Sequence, residues 1–139
     1  MVESSIIIKK INSINHNMKR IAKYKNIALE EFLKNEDIKD IVAHNLFIML
    51  QHIIDISTHI IADENMEEPV FVSDIADILA REGVLRESFV KSFKSMIGLR
   101  NIIAHEYGDI DFKIIHKIIA SDLNDVNLFL ESIIKYTGL

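Results

Sequence analysis

The chain contains no cysteine, which removes disulfide frameworks, thiolate metal sites and cysteine nucleophiles at once. One proline and four glycines among 139 residues leave little turn chemistry, and that disfavours a sandwich or barrel of many short strands. Long apolar runs are also missing. The best candidate for a membrane span is interrupted by His52, Asp55 and His59, so no spanning helix is expected. Ile6-Ile7-Ile8 is too short for a secretory segment and is followed by Lys9-Lys10; with no signal peptide legible, a cytoplasmic chain is expected. Excess positive charge is absent too. A net charge of −5 argues against a broad nucleic-acid footprint. The deficit is local, because between Asp63 and Glu82 seven acids face Arg81 alone, leaving the remainder at about +1. Any contact with a polyanion must then be compact.

What is present is enough apolar material for a core. Hydrophobic residues make up 49%, and the length suits one domain over residues 1–139. The spacing reads helical almost throughout. Ile7, Ile11, Ile14, Met18 and Ile21 recur at threes and fours, predicting a first helix over 4–25. Residues 28–34 read as a short helix or turn. After the polar break Asn35-Glu36-Asp37, a long second helix is expected over 38–62. Its apolar positions cover far more than one stripe, so it is either central or also buried in a partner. Ser73 is a candidate N-cap for a third helix ending near Gly83, with Asp74 and Asp77 in its first turn. A fourth helix is expected over 86–107, stopped by Gly108 at C′. Asp109 or Asp111 opens a fifth, interrupted around Ser121-Asp122. The expected fold is all-α, an up-and-down bundle of four to five helices.

The segment from Gly98 to Gly108 concentrates the chemistry. Arg100, Asn101, His105 and Tyr107 stand within eight residues, around an apolar Ile102-Ile103-Ala104. Arginine offers a planar positive fork for phosphate, and histidine can take and give a proton near neutral pH. Those two tools cleave a phosphodiester without a metal. On a continuous helix Asn101 and His105 share a face, and Tyr107 returns beneath Arg100. The same residues also fit a helix C-terminus whose side chains simply cap carbonyls. The spacing alone leaves both open.

Arg100-x4-His105-x-Tyr107, read with Asn101, resembles the signature of the HEPN superfamily and, through its trailing tyrosine, the HepT branch. The run from Asn45-Leu46 to Asp63-Glu64, the Gly98-Leu99 approach and the Asp109-x-Asp111 exit resemble that branch as well, so the likeness spans the second to fifth helices. The resemblance implies a helical homodimer with both motifs facing a shared cleft. It implies a metal-independent endoribonuclease toxin that needs no cofactor, with RNA as substrate and a nucleotidyltransferase antitoxin (MntA) that inactivates it by adenylylating the motif tyrosine. On these residues His105 becomes general base and acid, Arg100 neutralises charge growing on the phosphorane oxygens, Asn101 orients His105 or the phosphate, and Tyr107 is the modification acceptor. A dimer also supplies the second proton carrier that in-line transfer requires. Two other classes stay open: a non-catalytic helical module that docks a nucleotidyltransferase, and a metal-binding bundle.

The metal reading rests on His52, Asp55, His59 and Asp63, which follow one another along the second helix at steps of three and four. Imidazole and carboxylate are ordinary ligands, yet no Glu-x-x-His of the di-iron type occurs, and the polar side of a buried helix explains the stripe as well. Asp55 is alternatively placed to line the cleft and orient Arg100 or His105. Lys91, Lys94, Lys113 and Lys117 flank the motif; Lys94 and Lys113 are the candidate RNA contacts of a compact phosphate track. Phe89, Phe93 and Ile97 are expected in the core or a dimer contact. His16, His44 and His116 are expected to be solvated.

Overall fold

A computed structural model describes residues 3–139. Among them are seven α-helices: α1 (Ser4–Ala22), α2 (Leu29–Lys34), α3 (Glu36–Asp63), α4 (Asp74–Arg81), α5 (Val90–His105), α6 (Phe112–Lys117) and α7 (Asn124–Thr137). The all-α class therefore holds, with more pieces than the four or five expected. The expected fifth helix is two, α6 and α7, parted by a π segment over Ile118–Asp122.

The first-helix periodicity has a direct physical outcome. Ile7, Ile14 and Ile21 recur at seven and are fully buried, each contributing roughly 1.5–3 kcal/mol relative to exposure. They seat α1 on α3, and the two run antiparallel: the Glu3 N–H donates to Asp63, Lys10 pairs with Asp55, and Asn17 bonds Asn45. The Asn17–Asn45 bond, at 3.0 Å, lies in the buried seam, where it specifies one register because any slip strands two amides.

Asn35 caps α3 by accepting from the Ile38 N–H at 3.0 Å, and Glu36 and Asp37 fill the first turn, as the helix dipole favours. At 28 residues α3 is long and apolar enough, by length and composition, to cross a membrane, so the expectation that no stretch approaches a span was too strict. The structure spends that apolar surface as core. Val42, Leu46, Met49, Ile53, Ile56 and Ile60 are all buried against α1 on one side and α5 on the other. Of the two alternatives for this helix, central is the one the structure supplies.

The direction of α5 follows from its ends. Lys94 near its start pairs with Asp77 of α4 at 3.0 Å, and the turn after it reaches Asp40 near the start of α3, so α5 runs antiparallel to α3. Phe93 of α5 packs on Phe129 of α7 with centroids 5.7 Å apart. Tyr136 near the end of α7 bonds Glu64 just past α3, which closes the up-and-down order of the four long helices. Ser73 does not cap α4 with its side chain; Asp74 accepts from the Phe71 N–H instead, at 2.9 Å. Gly83 ends that helix at φ +78°, a conformation that favours glycine.

Candidate active site

Phe93, Ile97 and Ile103 anchor α5 in the core and thereby fix the faces of the residues between them. Arg100 is half-buried, and its Nε is buried with no hydrogen-bond partner. An unpartnered guanidinium N–H is costly and suits an anion or a partner group arriving from outside the chain. Asn101 and His105 are exposed, four apart on one helix face. His105 is the last residue of α5, at the carbonyl end of the helix.

The helix stops earlier than expected. Glu106 leaves helical geometry at φ −131°, ψ 35°, and Tyr107–Asp109 form a separate 3-10 turn. Gly108 has no positive φ and does not serve as C′. Tyr107 is therefore not seven positions along a continuing helix from Arg100, and the same-side placement inferred from that spacing is corrected. The turn instead carries the phenol to α3, where its hydroxyl donates to Asp40 Oδ1. The ring stands edge-on to Phe112 with centroids 6.2 Å apart, Phe112 leans on Phe32, and Lys39 Nζ lies 5.1 Å over the Phe112 ring. Partial burial first, then the Asp40 hydrogen bond and charge, push the Tyr107 hydroxyl up to about 12. Asp40 is the residue sequence reasoning missed. It sits one turn into α3, where an acid already has a reason to be, and nothing local marks it as the partner of a residue 67 positions away.

Other candidates are not brought to the motif. Asp55 is held by Lys10 at 3.4 Å and Gln51 at 2.9 Å on the side of α3 that meets α1, so it does not orient Arg100 or His105. Lys94 is turned to Asp77, which takes it out of the expected phosphate track; Lys113 and Lys117 on α6 are exposed. His59 pairs with Asp63 at 3.1 Å. Burial and then the charge of Lys10 hold His52 below the ordinary histidine range, against the opposing pull of Asp55. Among the described residues no group of three or more His, Asp or Glu is placed to hold a metal ion. His16 and His44 are exposed as expected, but His116 is not simply solvated: its Nε2 lies 2.7 Å from the Ile27 carbonyl and its ring packs on Phe32, tying α6 to the loop before α2.

Apolar surface is also left open beside the motif, between α5, α6 and α3. Leu50, Met96, Leu99, Ile102, Ile114 and Ile118 line an open groove of about 530 Å³. Ile102 is 41% and Ile114 55% exposed.

Comparison with known proteins gives the family and the fold. A family model described as Ribonuclease HepT-like matches residues 14–133. The mRNA nuclease HepT of Shewanella oneidensis is 28% identical over 130 residues, covering 94% of this chain and 97% of its own. The tRNA nuclease HepT of Aphanizomenon flos-aquae is 26% identical over 135 residues, covering 97% and 92%. A crystal structure of a tri-AMPylated Shewanella oneidensis HEPN toxin in complex with its MNT antitoxin superposes with a TM-score of 0.83 at 29% identity, covering 92% of this chain and 96% of that one.

Proposed function

Because the chain belongs to the HepT-like ribonuclease family, we propose that it is a metal-independent endoribonuclease, the cytoplasmic toxin of a toxin–antitoxin pair, with Arg100 and His105 as its catalytic residues. The observation that carries this reading is the buried, unpartnered Arg100 Nε on the helix that ends in an exposed His105. A guanidinium with an unmet donor is a ready site for a phosphate oxygen. His105 takes the proton of the ribose 2′-hydroxyl as that oxygen attacks phosphorus. The bond from phosphorus to the 5′-oxygen breaks, leaving a 2′,3′-cyclic phosphate and a 5′-hydroxyl. Arg100 offsets the charge that grows on the phosphorane, and Asn101, on the face of His105, orients the imidazole or the phosphate. Lys113, exposed on the helix after the motif turn, is the flanking cation that follows the RNA backbone.

The departing 5′-oxygen needs a proton donor, and His105 of a second copy supplies it. We place the dimer contact on the groove formed by Met96, Leu99, Ile102, Ile114 and Ile118, since an exposed apolar surface of this kind marks an interaction site. Tyr107 is the acceptor through which a nucleotidyltransferase antitoxin silences the enzyme: it closes the motif and is 44% exposed, and a relative of the same fold is tri-AMPylated in complex with MNT antitoxin.

The test is cleavage of a mixed RNA pool by the purified chain in EDTA, with analysis of the new ends. Activity that survives chelation, leaves cyclic phosphates and is lost in Arg100→Lys supports the reading, because a point charge does not reproduce the bidentate grip. A requirement for a divalent ion, or 5′-phosphate products, sinks it. Intact chain that binds the transferase but cleaves nothing marks a docking module instead.

A further inference from the structure

Tyr107 presents a chemical difficulty as an acceptor. Its oxygen must attack the α-phosphorus of a nucleoside triphosphate, and a neutral phenol is a poor nucleophile. An ordinary tyrosine is ionised to roughly one part in a thousand at pH 7. This one is pushed up to about 12, so its free phenolate is about a hundredfold rarer still. Attack by a pre-formed phenolate is thus disfavoured by the surroundings of the acceptor itself. The proton has to leave as the oxygen–phosphorus bond forms, which requires a base in contact with the hydroxyl.

That contact is present within the chain. The Tyr107 hydroxyl donates to Asp40 Oδ1, the ring is steadied by Phe112, and Phe112 is itself held by Phe32 and by Lys39 over its face. Lys39 is the cation on this side of the pair; His105 and Glu106 precede Tyr107 in the chain and Asp109 ends its turn. We propose that Asp40 is the positioning residue and proton acceptor for nucleotidylylation of Tyr107, so that the target protein, and not only the transferase, supplies part of the machinery for its own silencing. This inference rests on the reading that Tyr107 is the modified residue.

The step balances as follows. The Tyr107 oxygen bonds to the α-phosphorus of the nucleoside triphosphate held by the transferase. The bond from that phosphorus to the bridging oxygen breaks, and pyrophosphate leaves with the electron pair. The phenolic proton passes to Asp40 and from there to solvent. Once the ester has formed, Tyr107 has no proton to donate, and the bond between the motif turn and α3 is lost with it.

The experiment measures the rate of adenylate addition by intact mass, using the full chain, its nucleotidyltransferase and ATP, between about pH 6 and 9. Each variant is read as a ratio to wild type at the same pH, which cancels the transferase's own profile. Asp40→Asn keeps an oxygen that accepts from the phenol and removes the basicity together with the negative charge. It is expected to slow addition on the order of a hundredfold at pH 7. The deficit is expected to shrink about tenfold per pH unit as phenolate takes over. Asp40→Glu is expected to recover part of the rate with the flat wild-type ratio, and circular dichroism checks that both variants fold. Equal rates and a flat ratio for Asp40→Asn overturn the proposal while leaving Tyr107 as acceptor. Undiminished modification of Tyr107→Phe, or none of wild type, overturns the underlying reading instead. A slow Asp40→Asn whose ratio to wild type does not change with pH means that Asp40 only holds the ring, and it rejects the proton transfer.

Discussion

The two ends of α3 carry the same bond in different settings. Near its start Asp40 accepts from Tyr107; just beyond its end Glu64 accepts from Tyr136 at 3.2 Å. Both phenols are raised, with burial the leading cause and the carboxylate the second. Tyr136 belongs to a regular turn of α7 and packs against the core, so its bond staples the last helix to the long one. Tyr107 stands on a short turn outside any α-helix with its ring 44% exposed. A phenol–carboxylate pair therefore has no fixed meaning. Backbone context and access decide whether it is a brace or a reactive group.

The sharpest test of that contrast uses the histidines of the two ends. His105→Ala is expected to lower RNA cleavage on the order of 10²–10⁴-fold, whereas His59→Ala, which loses its pairing with Asp63, is expected to leave turnover unchanged in the same assay. Equal losses would erase the distinction between the ends. Next in size is Ile102→Asp, which puts a charge on the exposed groove beside the motif. It is expected to convert a dimer to a monomer in sedimentation and to reduce cleavage with it, while leaving helicity intact. A variant that stays dimeric moves the contact elsewhere.

The tyrosines themselves come next. Tyr136→Phe is expected to cost about 1 kcal/mol through the lost hydrogen bond. Tyr107→Phe, at an exposed position, is expected to stay within about 0.5 kcal/mol of wild type; denaturant melts read both. The last effect is on alkaline stability. Because the Tyr107 value is raised to about 12 in the folded chain against about 10 unfolded, its contribution is fully present below pH 10 and lost as pH climbs through 12. Wild type should therefore lose stability more steeply than Tyr107→Phe across that window, and the near-ultraviolet phenolate signal should lag. Identical slopes would show that burial and Asp40 together do not hold the hydroxyl protonated in solution.

Much of the fold was legible because a helix writes its own period. Ile7, Ile14 and Ile21 announce a buried face from spacing alone, and Asn35 before an acidic first turn announces a start. Ends were harder. Gly108 offers a plausible stop for α5, but the chain leaves the helix at Glu106, where Tyr107 turns towards Asp40 and Phe112, partners that no local signal names. The apolar breadth of α3 likewise announced burial without saying in what, and its neighbours proved to be α1 and α5.

The amino-acid sequence by itself determined the helical class, the burial of the long apolar segment, and the run of Arg100, Asn101, His105 and Tyr107, because periodicity and side-chain chemistry are local properties. Only the tertiary structure decided that Asp55 and Lys94 are engaged elsewhere, that Arg100 keeps a buried donor unmet, and that Tyr107 meets Asp40. Those outcomes depend on which helix faces end up opposite one another across tens of residues. That is settled by packing the whole core at once, and no single segment carries it.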